Sequence, residues 1–354
     1  MENTSLFDLK TIIQMPKIDL HRHLEGSIRL DTLYDLVKEL NIEVNSKKYL
    51  SSKVQVQSED QFTLENFLTK FSFLRQFYQS KEIIQRITRE CIEDAILENI
   101  QYLEIRFTPA ALSNNETFKY EEVISWVLES IAASSLQADI QVRSIISLNR
   151  HESVEKAKRI FSDSKQFKSF GLVGFDLCGD EANFSAIPYE SLFDRIKNEG
   201  FFITIHAGEW GKANNIRHAI LKLHADRIGH GVRVLEDPDI VEIARNHATL
   251  FEVCISSNIH SGVFRSIENH PIMKMMKNGL NISVNTDDPM ISQIRLSSEY
   301  QILLSRLGFS FSDILSFLGN AVNSSFLNAS EKKELYSSFS LMYQKWLKNS
   351  INSK

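Results

Sequence analysis

Residues 17–26 read Lys17-Ile18-Asp19-Leu20-His21-Arg22-His23-Leu24-Glu25-Gly26. A short apolar run leads into two histidines spaced two apart, and side chains at that spacing on an extended strand point the same way. Two imidazoles at a strand end can grip one metal ion from one side. A site of nitrogen and oxygen ligands then needs one or two further groups from elsewhere in the chain. The pair alone is weak, because ten histidines in 354 residues give a chance His-x-His count of about 0.3. Its meaning depends on what stands at the ends of the other strands.

Eight strand candidates can be read: residues 17–21, 101–107, 142–148, 172–177, 201–206, 227–230, 249–255 and 281–286. Most are nearly continuous runs of Val, Ile, Leu and Phe, as parallel strands buried on both faces should be. Helical spacing fills the intervals at 120–133, 154–161, 191–197, 216–223, 238–246 and 271–277. Eight strand–helix units predict an α/β protein with a TIM-type (β/α)8 barrel, and a single domain over residues 1–354. The rival open, doubly wound sheet is weakened because no Gly-x-Gly-x-x-Gly follows an early strand. Residues 24–100 read as a helical insertion after strand one, carrying Leu64, Phe67, Leu68, Phe71, Phe73, Leu74 and Phe77. After strand eight the chain ends in helices, the last over residues 331–347 with Ser330 as its N-cap.

Charged residues at 24% and hydrophobic residues at 43% are ordinary for a globular protein. A net charge of −5 argues against a nucleic-acid partner, since phosphate backbones reward basic patches. Cys91, Cys178 and Cys254 are odd in number and widely spaced. That suits neither a disulfide framework nor a cysteine zinc site, and points to a reducing compartment. The first residues lack a basic stretch followed by an apolar core, and no apolar run approaches the roughly 20 residues that cross a membrane. A cytoplasmic protein with no membrane partner is expected; its oligomeric state is not legible.

In a barrel of this kind the chemistry sits at the C-terminal strand ends. Strand one ends in His21 and His23, strand four in Cys178-Gly179-Asp180-Glu181, and strand five in His206-Ala207-Gly208-Glu209. Strand six ends in His230-Gly231, strand seven in Ser256-Ser257-Asn258, and strand eight in Asp287-Asp288-Pro289. Four of the ten histidines and a doubled aspartate thus fall on one rim. His21, His23, His206 and Asp287 offer three imidazoles and a hard oxygen, a set that suits zinc and also accepts Fe2+ or Co2+. Such a site lowers the pKa of bound water to roughly 7. Glu209, three residues past His206, is placed to shuttle a proton, and His230 to hold the attacking oxygen. Ser256, Ser257 and Asn258 read as ordinary turn residues, Gly179 as a tight turn, and Asp288 before Pro289 as a turn or helix starter. The remaining histidines, His151, His218, His224, His247, His260 and His270, read as structural or exposed. Two-metal hydrolases of this barrel type commonly carry a bridging lysine at the end of strand four; residues 172–181 contain none, which favours a single ion.

These motifs together resemble the adenosine deaminase family, within the amidohydrolase-type barrels. The matching pieces are residues 20–27, 102–109, 174–181, 206–209, 227–231 and 285–289, in the family's order and spacing from about residue 15 to about 330. The resemblance implies hydrolytic removal of the 6-amino group of an adenine ring, with a purine nucleoside as substrate and one zinc ion per subunit. It implies zinc ligation by His21, His23, His206 and Asp287. Glu209 then protonates ring nitrogen 1, and His230 orients the attacking hydroxide. The substrate is bound by His23, Glu25, Gly179 and Asp288, the last two on ring nitrogens of the far edge, while Leu64, Phe67 and Phe71 cover the sugar side. One position departs from the pattern, since adenosine deaminases usually carry Asp where this chain has Glu25. Adenosine and 2′-deoxyadenosine are the expected substrates in purine salvage. Adenine or aminodeoxyfutalosine is the alternative, and a non-catalytic nucleoside-binding barrel is the reading from another class. The cysteine-ligated zinc deaminases carry a Pro-Cys-x-x-Cys motif that is missing here.

Overall fold

A computed structural model describes residues 8–136 and 138–352. Among them, eight strands form one parallel sheet in chain order. They are β1 (Lys17–His23), β2 (Ile100–Phe107), β3 (Gln141–Asn149), β4 (Leu172–Cys178), β5 (Phe202–Ala207), β6 (Arg227–His230), β7 (Leu250–Val253) and β8 (Asn281–Val284). The sheet curls into a barrel whose first and last strands meet at a narrow seam. There Arg22 and Asp287 form a parallel bridge. The Asp287 N–H donates to the His21 carbonyl at 2.8 Å, and the His23 N–H donates to the Asp287 carbonyl at 2.9 Å. The expected (β/α)8 architecture is the one observed.

The insertion after β1 is helical, as its spacing predicts: α1 (Leu9–Gln14) precedes the barrel, and α2 (Leu30–Glu39), α3 (Lys47–Val54), α4 (Leu64–Leu74) and α5 (Lys81–Leu97) follow β1. Thr63 starts α4 by accepting a hydrogen bond from the Asn66 N–H at 3.2 Å. Phe67 and Leu74 on its inner face are buried.

Most element boundaries shift by a few residues from the reading of the sequence, and three of the shifts have a clear local cause or consequence. Strand seven is shorter, because Ile255–His260 turn into a helix directly after Cys254. Strand eight stops at Val284, so the residues from Asn285 to Asp288 form the rim rather than the strand. The C-terminal helix runs Ala329–Asn352, and Asn328 caps it in place of Ser330. The Asn328 Oδ1 accepts from the N–H groups of Ser330 and Glu331 at 3.0 Å, while the Glu331 carboxylate accepts from the Asn328 N–H at 3.0 Å.

Charge fills the barrel interior where simple packing would put branched apolar side chains. Arg106, Arg227, Glu104, Glu252 and Asp176 are all buried. Arg106 donates to Glu252 at 2.8 Å and lies 3.5 Å from Asp176. Arg227 donates to the other oxygen of Glu252 at 2.6 Å and pairs with Glu104. Burial alone would raise the carboxyl of Glu252, but Arg106 and Arg227 outweigh it and hold the group well below the usual carboxylate range. Each charge here has an opposite neighbour, the condition under which buried ions are tolerated.

Candidate metal centre and its cavity

The rim residues singled out from the sequence converge. The ligand atoms of His21, His206, His230 and Asp287 lie within 4.8 Å of one another. His21 Nε2 is 3.1 Å and His23 Nε2 3.4 Å from Asp287 Oδ1, and the Nε2 atoms of His23 and His206 are 3.4 Å apart. A bulge helps to aim the pair on β1. Its register against β2 advances three residues from Asp19 to Arg22, while β2 advances only two, from Leu103 to Ile105. Asp287 and His230 hold left-handed backbone, at φ 64° and 59°. Such conformations in non-glycine residues are costly and gather at functional sites.

Tautomers decide which of these imidazoles suits a metal. His21 Nδ1 donates to Glu252 Oε2 at 2.7 Å, and His206 Nδ1 donates to Asp176 Oδ1 at 2.9 Å. In both rings the proton is thereby fixed on Nδ1, and the Nε2 lone pair faces the cluster. His21 Nε2 is buried and faces Asp287 Oδ1 at 3.1 Å. His230 is set the opposite way. Its Nδ1 accepts from Asn258 Nδ2 at 3.1 Å, which puts the proton on Nε2 and leaves no lone pair for an ion there. Burial pushes both His23 and His230 well below the usual imidazole range, so both are neutral near pH 7. Asp287 presents Oδ1 to the histidines while its Oδ2 accepts from Ser257 Oγ at 2.6 Å. Two oriented lone pairs, the Nε2 of His23 beside them and one carboxylate oxygen fit a divalent cation such as zinc.

Glu209 stands beside this group. Its Oε2 is 3.6 Å from His230 Nε2, and it is buried with no hydrogen-bond partner among the described residues. Burial first, then the charges of Asp287 and Glu181, raise its carboxyl well above the usual range. Glu181 anchors the loop beneath it, accepting from the N–H groups of Gly208, Glu209 and Gly211 at 2.6–3.0 Å.

His23, Glu25, Gly179, His206, Glu209, His230, Asp287 and Asp288 line one cavity of about 490 Å3. Phe67, Leu68 and Phe71 of the insertion form an apolar wall of it, whereas Leu64 is half-buried outside that wall. Gly179 has φ 90°, a conformation that glycine adopts without strain. Asp288 Oδ1 has no hydrogen-bond partner among the described residues, and it packs on Gly26, where a Cβ would come within 1.8 Å of it. Burial and the charges of Asp287, Glu25 and Glu209 raise the Asp288 carboxyl well above its usual range. Glu25 Oε1 accepts from the Thr108 N–H at 2.7 Å, Oε2 lacks a partner among the described residues, and burial pushes the carboxyl up to about 7.

Sequence reasoning missed Ser257, Asn258 and His270. The first two are buried parts of the site rather than turn residues. Asn258 donates from Nδ2 both to Glu209 Oε1 at 3.2 Å and to His230 Nδ1. Its Oδ1 accepts from His270 Nε2 at 3.2 Å. His270, read as structural or exposed, thus fixes the amide that fixes His230. Ser-Ser-Asn after a strand looks like any turn, and only the short helix at Ile255–His260 turns these side chains inward.

Burial pushes His270 down to about 3. An unfolded histidine protonates near 6.5, so below that pH the unfolded chain binds a proton that the folded one refuses. His270 therefore contributes stability that is fully present above about 6.5 and is lost as the pH falls toward 3, at up to about 1.4 kcal/mol per pH unit. Gln at this position keeps a neutral donor. The stability advantage of the wild type over His270→Gln in denaturant melts should shrink steadily from pH 7 to pH 4. Parallel curves would show that His270 does not titrate this way.

The adenosine deaminase family model matches residues 16–341. An adenosine deaminase of Clostridium botulinum (strain Langeland) is 35% identical over 327 residues, covering 92% of this chain and 97% of that protein. Among solved structures, an adenine deaminase from Arthrobacter aurescens superposes with a TM-score of 0.85 at 25% identity, over 94% of this chain and 99% of that one. An Arabidopsis N6-mAMP deaminase gives a TM-score of 0.84 at 26% identity, over 94% and 99%. Among the described residues, no helix is long and apolar enough to cross a membrane. The barrel, the converging rim residues and a family match along nearly the whole chain lead to one conclusion: this protein belongs to the adenosine deaminase family and is a hydrolytic deaminase.

Proposed function

We propose that this protein is a zinc-dependent adenosine deaminase of purine salvage. It converts adenosine and 2′-deoxyadenosine to inosine and 2′-deoxyinosine, with release of ammonia. The observation that carries the reading is the convergence of His21, His23, His206 and Asp287, with two of the imidazoles fixed as Nε2 donors by Glu252 and Asp176. These four residues hold the metal. When bound, zinc supplies an activated water at neutral pH.

The chain's own groups do the rest. Glu209, whose carboxyl is shifted toward the protonated form by burial and then by Asp287, delivers a proton to ring nitrogen 1 and makes carbon 6 electrophilic. His230 turns Nε2 to the attacking water. Asp288, whose carboxyl burial and the neighbouring carboxylates shift toward the protonated form, and Gly179 meet ring nitrogens on the far edge. Phe67, Leu68 and Phe71 exclude bulk water from the reaction. Water adds at carbon 6, one of its protons leaves with the amino group as ammonia, the other restores the Glu209 carboxyl, and the ring keeps the oxygen.

Glu25 in place of Asp, together with the likeness to an adenine deaminase, favours adenine as the second reading. The test is an ultraviolet assay of zinc-loaded protein on adenosine, 2′-deoxyadenosine, adenine and aminodeoxyfutalosine, with ammonia measured in parallel. Adenosine is expected to turn over fastest. Fastest turnover of adenine moves the assignment to the second reading, and inert protein on all four overturns both.

A further inference from the structure

Among the cavity's residues, the mechanism leaves three buried, unpartnered polar atoms unused: Tyr78 Oη, Glu25 Oε2 and Trp210 Nε1. Tyr78 follows the short 3-10 turn Arg75–Phe77 at the base of α4. It is 1% exposed and lines the same cavity as Glu25. Its hydroxyl has no hydrogen-bond partner among the described residues. Glu25 Oε2 is in the same state, since Thr108 occupies only Oε1. A phenol hydroxyl donates and a carboxylate oxygen accepts. Buried groups of this kind in native proteins are nearly always satisfied, and a polar group of a ligand in the cavity is a partner that suits both.

We propose that Tyr78 is a specificity-determining substrate contact, which together with Glu25 reads a hydroxyl group of the nucleoside sugar. The inference rests on the deaminase reading above and narrows its substrate class. A hydroxyl both donates and accepts, so one such group satisfies the Glu25 oxygen and the Tyr78 hydroxyl at once. Free adenine carries no hydroxyl and leaves both unpaired. Sites built around a substrate hydroxyl reject analogues that lack it far more strongly than apolar pockets reject a missing methylene. Arg75 lines the same cavity and is exposed, so a nucleoside monophosphate is the competing occupant.

The experiment measures kcat/KM for wild type and Tyr78→Phe on adenosine, its 2′-, 3′- and 5′-deoxy analogues, adenine and AMP. Wild type should lose on the order of 10- to 100-fold on one deoxy analogue. Tyr78→Phe should lose a similar factor on adenosine and nothing further on that analogue. The wild-type series needs no variant, so poor folding of Tyr78→Phe does not shield the proposal. An equal loss on all nucleosides in the variant overturns it, as does a wild type indifferent to every hydroxyl. Preference for adenine or AMP over adenosine overturns it while leaving deamination intact. Inert wild type on every compound instead removes the deaminase reading, and this inference falls with it.

Discussion

Glu209→Gln is expected to lower kcat by on the order of 100-fold or more while metal content stays unchanged. The substitution is nearly isosteric. A Gln carbonyl can still accept from Asn258, as Glu209 Oε1 does at 3.2 Å, so the loop should keep its place. What disappears is the acidic proton. Glu209 Oε2 is buried and unpaired among the described residues, and burial, then the charge of Asp287, shifts its carboxyl toward the protonated form. An amide cannot pass that proton to a ring nitrogen. Elemental analysis alongside kinetics separates the two roles. If zinc falls together with kcat, Glu209 is a ligand and the proton-donor assignment is wrong.

His206→Ala is expected to remove both metal and activity. His206 Nε2 lies 3.4 Å from that of His23, and its Nδ1 bond to Asp176 fixes its lone pair toward the cluster, as the proposed ligand role requires. Losing it leaves three of four ligands and a methyl group where a donor stood. Asp176 loses its imidazole but keeps Ser147 at 3.0 Å and Arg106 at 3.5 Å, so the barrel should still fold. Zinc affinity by chelator competition and circular dichroism report on the two separately. A folded, fully metallated variant refutes the ligand assignment.

Strand periodicity and the polar strand ends made the architecture legible. An apolar run followed by His, Asp or Glu is a local signal, and the barrel gathers those ends onto one rim whatever lies between them. The residues expected as ligands met for that reason. What lay beneath them was not legible. Glu252 and Asp176 orient His21 and His206 from inside the barrel, and a single charge within an apolar strand does not announce its partner. Asn258 and His270 were missed because their partners depend on a helix of six residues at Ile255–His260, too short for periodicity to reveal. Ser330 was chosen as a cap by residue type, but Asn328 lies two residues earlier and caps equally well, and the chain turns there.

The seam between β1 and β8 carries a mechanical consequence. His21 and His23 stand on one lip of it and Asp287 on the other, joined by a few backbone bonds. An ion shared among these side chains would act as a rivet between the first and last staves of the barrel, closing a loop of more than 260 residues. Binding energy of that kind is folding energy as well. Supply of the cation would then govern how long the protein survives proteolysis as well as how fast it turns over substrate.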